Sequence, residues 1–167
     1  MERSDTIRPS SVFVLRLPRG KYHKLVWRLT RSGYLMNKHA KAAVAAAKKL
    51  QNQKNQKKSK LTAEKAWGKV PPGCGRATFL GLANMGLIKG YKPQVSSNIR
   101  ITKQGMYGIL AIWILRSLKL MTDGKYLVLF SPKVLWHLVH CVLGKSPINH
   151  NSQMDVVLAL WSNKLIK

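Results

Sequence analysis

Asn37 to Leu50 reads NKHAKAAVAAAKKL. Alanine is the best helix former and lysine is close behind, so this stretch predicts a helix. Ala43, Ala46, Ala47 and Leu50 fall on one face, and residues that small let a partner helix come close. Lys38, Lys41, Lys48 and Lys49 lie away from that face. Downstream, Gln51 to Lys60 reads QNQKNQKKSK and contains no apolar residue. It fits a solvated basic loop or a frayed helix end. It adds Lys54, Lys57, Lys58 and Lys60 to the positive run.

Further helices follow from local signals. Thr62 is a good N-cap for a short helix through Trp67, which Pro71-Pro72-Gly73 then stops. A third helix is expected from about Arg76 to Asn84, with Gly86 at its end. Beyond the linker at residues 91–100, Lys103 to Leu115 predicts a long apolar helix. Its uncharged run GMYGILAIWIL, eleven residues from Gly105, reads as a central helix buried on all sides. It is too short to span a membrane, which takes about 20 residues. Ser131-Pro132 is a strong start for the next helix. Asn151 or Ser152 begins a last one through Trp161. Tyr126 to Phe130 fits either a short strand or a helix start.

These elements recur in order. Leu61-Thr62 up to Trp67 matches Phe130-Ser131 up to Trp136, and Leu87-Ile88-Lys89 matches Leu165-Ile166-Lys167. The expected fold is all-α: two related three-helix units, residues 36–90 and 101–167, sharing one core. Trp67, Phe79, Leu82, Ile109, Ile112, Trp113, Leu135, Trp136, Leu158 and Trp161 are the expected core, and Met85 also reads as core-like.

Residues 1–35 differ in character. Val12 to Leu17 and Leu25 to Leu29 flank the turn residues Pro18-Arg19-Gly20-Lys21, which suggests a short β-hairpin. The arginine content also suits a transit peptide, although Glu2, Asp5 and the turn argue against one. A third reading makes these residues an extension upstream of a start at Met36.

Composition narrows the function. The chain of 167 residues carries 30 Lys and Arg against 5 Asp and Glu, a formal charge of +25. After Leu35 the only acids are Glu64, Asp123 and Asp155. Most acid–base and carboxylate–metal chemistries therefore lack parts. So positive a surface favours a polyanionic partner. Cys74 and Cys141 are the only cysteines and share no motif, which fits a reduced, cytoplasmic protein.

Several stretches carry a family resemblance: Met36-Asn37-Lys38, AEKAW from Ala63, GCGRATFLGL from Gly73, and NSQMDVVLALW from Asn151. Over Met36 to Lys167 the chain resembles a small bacterial domain family of unknown function whose members begin Met-Asn-Lys. The resemblance implies a bacterial or phage origin and a start at Met36. It implies no activity.

The remaining motifs are weaker. Thr62 to Gly90 can be read as helix–turn–helix, but Gly68 to Gly75 is long for the turn. Gly73-Cys74-Gly75-Arg76 could contact an anion, though without the Lys-Ser/Thr of a nucleotide loop. His137, His140 and Cys141 fall within about one helical turn, yet no neighbouring acid completes a zinc protease or orients a nucleophile. No catalytic residue, metal-ligand set or cofactor is assigned. The expected function is sequence-tolerant binding of DNA or RNA by a non-enzymatic protein. Lys38, Lys41, Lys48, Lys49, Lys54, Lys57, Lys58, Lys60, Arg76 and Lys89 are the candidate contacts. The alternatives are an adaptor docking an acidic protein, in a phage or host-defence setting, and peripheral binding to an anionic membrane.

Overall fold

A computed structural model of the chain describes residues 36–52, 61–93, 101–121, 131–146, 149 and 152–167. The expected hairpin, the lysines from Lys54 to Lys60, and Tyr126 to Phe130 lie outside the described residues. Six helices make up the described fold: α1 Lys38–Asn52, α2 Ala63–Trp67, α3 Cys74–Asn84, α4 Lys103–Met121, α5 Pro132–Val142 and α6 Gln153–Ser162. The fold is all-α, and among the described residues its β-type pairing is an isolated bridge between Ile88 and Ile166.

Thr62 and Ser131 cap their helices as expected, whereas Ser152, at the start of α6, is left-handed and makes no side-chain cap bond. Asn37 Oδ1 accepts the Ala40 N–H at 2.9 Å, satisfying one of the free amides of α1. Thr62 accepts from Lys65 at 3.3 Å, and Ser131 accepts from Val134 at 3.3 Å with Pro132 opening α5. Asn37 Nδ2 also donates to Ser152 Oγ at 3.3 Å, which ties the start of α1 to the start of α6.

α3 and α6 occupy the centre. α3 packs on α1, α2, α4 and α6, while α6 packs on α1, α3, α4 and α5. The largest interfaces join α3 to α4 and α1 to α6, so the first helix of each half leans on the third helix of the other. Phe79, Leu82, Ile112, Leu115, Leu135, Val156, Val157 and Leu160 fill the shared core.

Matching positions in the two halves do matching jobs. α3 ends in a Schellman turn, with Gly86 N–H donating to Ala83 O and Leu87 N–H to Leu82 O. α6 ends the same way, with Lys164 N–H donating to Trp161 O and Leu165 N–H to Leu160 O. The bridge is reciprocal: Lys89 N–H donates to Leu165 O at 2.8 Å and Lys167 N–H to Leu87 O at 3.0 Å. Exchanging the two segments maps one bond onto the other. Thr102 Oγ1 accepts the Gly105 N–H as Asn37 accepts that of Ala40. That register pairs Ala43 with Gly108, Val44 with Ile109, Ala47 with Ile112 and Leu50 with Leu115, all buried. On these pairs rests our proposal that residues 36–90 and 101–167 are two copies of one three-helix unit.

Two expectations about the core are corrected. Trp113 is 57% exposed and Met106 53% exposed, so α4 is not buried on all sides. α4 meets α3, α5 and α6 and leaves a strip facing outward. In the register with α1, Met106 and Trp113 take the places of exposed Lys41 and Lys48. Met85 is half exposed because it lies just past the last turn of α3. Trp161 is half-buried against the core, and the other expected core residues are buried. α4 also runs past Leu115 to Met121, since Arg116 and Lys119 are themselves good helix formers.

The paired helix ends give a prediction. Gly86 has φ 67°, whereas its counterpart Lys164 holds φ 56° with a side chain attached. A left-handed conformation costs an L-residue about 1–2 kcal/mol. Glycine's extra chain entropy offsets about 0.5–1 kcal/mol of that relief. Lys164→Gly is therefore expected to stabilise the fold by up to about 1 kcal/mol in urea unfolding. A loss of stability would mean that the Lys164 side chain holds the turn.

Candidate functional site

The lysine face of α1 follows from helix geometry. At about 100° per residue, Lys38, Lys41, Lys48 and Lys49 fall within an arc of about 100°. All four are exposed. Between them lie Ala45, exposed and small, and near the end Asn52. The opposite face, Ala40, Ala43, Ala46, Ala47 and Leu50, is fully buried. The lysines therefore project from a helix whose back is locked into the core, and no residue of α1 is acidic. Eleven residues of rise place Lys38 and Lys49 about 16 Å apart along the axis.

The structure places Lys89 near the C-terminal end of α1 and leaves Arg76 apart. Gly90, beside Lys89, sits against Gln51 in the last turn of α1, where an added Cβ would lie 3.3 Å from the Gln51 Cα. Lys89 itself is exposed. Arg76 is half-buried and lines an open cleft of about 330 Å³ with Glu64, Pro72, Gly73, Asn84 and Thr102. A carboxylate shares the cleft with the guanidinium, which makes it a poorer seat for a phosphate than the acid-free face of α1. Burial of one side of α3 weighs against reading it as a groove-reading helix. Gly75, Thr78, Phe79, Gly81, Leu82 and Ala83 are all enclosed, and α3 is surrounded by four other helices.

Of the histidine–cysteine cluster, only His140 turns inward. His137 and Cys141 are exposed, whereas His140 is buried beneath Trp136 with ring centroids 4.2 Å apart. His140 Nδ1 lies 3.1 Å from the Trp136 carbonyl, which can only accept, so this nitrogen carries the proton. His140 is a packing residue that also touches Tyr107. Among the described residues, no three His, Cys, Asp or Glu side chains gather where they could hold a metal. Among the described residues, no helix is long and apolar enough to cross a membrane.

Sequence reasoning missed one feature of the surface. The exposed ridge of α4 carries Met106 and Trp113, and the Arg116 guanidinium stands 5.7 Å from the centre of the Trp113 ring. Its signal was the register with α1, which predicts solvent at position 113.

Comparison with protein families is decisive for Met36 to Lys167. The model of DUF6979, a family of unknown function, matches residues 36–167. The chain belongs to this family. The DUF6979 match covers all six helices, and residues 1–35 fall outside it. Two of the stretches noted in the sequence meet in space, since Asn37 of the first bonds Ser152 of the last. No curated protein and no solved structure matches the chain significantly.

Proposed function

We propose that this protein binds nucleic acid through its phosphate backbone, without strong sequence preference and without catalysis. The observation that carries the reading is the outer face of α1, where four lysines and no acid project from a helix fixed by its alanine side. Lysines displace the counterions condensed on a phosphate chain, and that release drives binding at low salt. A rigid display avoids part of the ordering cost of association. The overall charge of +25 extends the same attraction over the whole molecule. DNA and RNA share the backbone chemistry on which this contact relies.

The test neutralises the face. Lys38→Gln, Lys41→Gln, Lys48→Gln and Lys49→Gln together should weaken binding to random duplex DNA and to RNA. On duplex DNA the slope of log affinity against log salt should flatten by about 0.9 for each phosphate that the variant no longer neutralises. Stability should shift little, because exposed substitutions usually change it by about half a kcal/mol or less. An unchanged slope would move binding off α1. No binding by the parent protein at low salt would overturn the reading and leave an acidic protein partner as the stronger one.

A further inference from the structure

The ridge of α4 calls for a partner of its own. Met106 and Trp113 sit two turns apart on the outward strip, with half-buried Leu110 between them. Their exposure is not loose packing. The same helix buries Tyr107, Ile109, Ala111, Ile112 and Leu115 completely or nearly so, and its burial pattern follows that of α1 position by position. The core thus has no use for an indole at position 113, where α1 carries a lysine.

Charge decides what covers it. Lys103 and Arg116 stand near the ridge, and no residue of the helix is acidic. A second copy of a chain at +25 would be repelled. A bilayer would need a whole apolar helix face, and the main apolar face of α4 is committed to α3, α5 and α6. What fits is a flat apolar group attached to an anionic chain. The Arg116 guanidinium lies 5.7 Å from the centre of the indole and donates to the Lys167 main-chain oxygen, which holds it near the ring. An aromatic face with a guanidinium beside it is how proteins hold unpaired bases.

We infer that Trp113 is a stacking platform for a base of single-stranded nucleic acid, with Arg116 beside it to meet the adjoining phosphate. This rests on the nucleic-acid reading and adds the form of the ligand: a strand with free bases. α1 and α4 do not touch, so the lysine face and the Trp113 ridge are separate surfaces that can be tested separately.

The experiment compares labelled oligo(dT), oligo(U) and a DNA duplex of equal length by fluorescence anisotropy across a salt series. Trp113→Ala should weaken single-strand binding by roughly 5- to 150-fold, the range of one missing base stack. It should leave the duplex affinity and the salt slope within about twofold. Trp113→Phe should recover most of the affinity, because it keeps a π-face, and both variants should melt like the parent. An equal drop on duplex and single strand, or no drop on either while the parent binds, overturns the platform and leaves the lysine face standing. Failure of the parent to bind any of the three overturns both readings. The ridge is then assigned to an acidic protein segment.

Discussion

Gly81→Leu is expected to abolish cooperative folding. α3 and α4 cross where Gly81 faces Gly105, and a Cβ built on Gly81 would fall inside the contact radius of the Gly105 Cα. From the other side, a Cβ on Gly105 would stand 3.0 Å from the Gly81 Cα. One turn along α4, a Cβ on Gly108 would meet the Thr78 methyl at 2.6 Å. Thr78 cannot retreat, because its hydroxyl bonds the Cys74 carbonyl at 2.9 Å and the Gln104 carbonyl at 3.2 Å. The obstacle at Gly81 is backbone, so rotamer changes cannot relieve it. Ordinary overpacking costs about 1–3 kcal/mol, and forcing two helix backbones apart should exceed that. A domain of this size has about 5–15 kcal/mol in total. Gly81→Ala should already lower the melting midpoint strongly, and leucine should leave no two-state transition by circular dichroism. Gly68→Ala is the control: nothing lies within 4 Å of its added Cβ, so it meets only the strain of φ 77°. A Gly81→Leu protein that melts like the parent would place the crossing elsewhere.

The contrast shows what the sequence carries. α1 was legible because alanine propensity and lysine spacing are local properties. Thr62, Ser131-Pro132 and Gly86 mark helix ends by chemistry that needs no neighbour. The lysine face followed from the period of a helix alone. The glycines in α3 and α4 were opaque, since in sequence they only weaken a helix and their purpose lies in a second backbone. Trp113 was misplaced for a related reason. GMYGILAIWIL is apolar throughout, and a run without polar residues does not say which sector meets solvent. The register of α4 with α1 carries that information, because aligning Lys48 with Trp113 makes position 113 an outward one. Arg76 was grouped with the lysines by charge, but the side of α3 it occupies is set by packing and places it with Glu64.

Trp67→Ala and Trp136→Ala should each cost about 3–5 kcal/mol, as truncation of a buried large aromatic does. The two rings are 3% and 2% exposed and close corresponding places, one at the end of α2 and one in α5. Trp67 lies against Phe79 at 5.3 Å, stacks on His39 at 6.4 Å and donates its indole N–H to the Val70 carbonyl at 3.3 Å. Trp136 meets Tyr107 edge-on at 5.1 Å and His140 at 4.2 Å. Each ring closes its own half beneath the first helix of that half, α1 for Trp67 and α4 for Trp136. If the halves are copies, the two costs should agree within about 1 kcal/mol, well inside the spread of large-to-small substitutions at unrelated sites. Trp113→Ala, at the surface of the same fold, should shift stability by about half a kcal/mol or less. Urea unfolding of the three variants reads all of this at once. Equal, small costs at Trp67 and Trp136 would show that neither ring closes a core. A large cost at one and a small cost at the other would break the equivalence on which the two-copy reading rests.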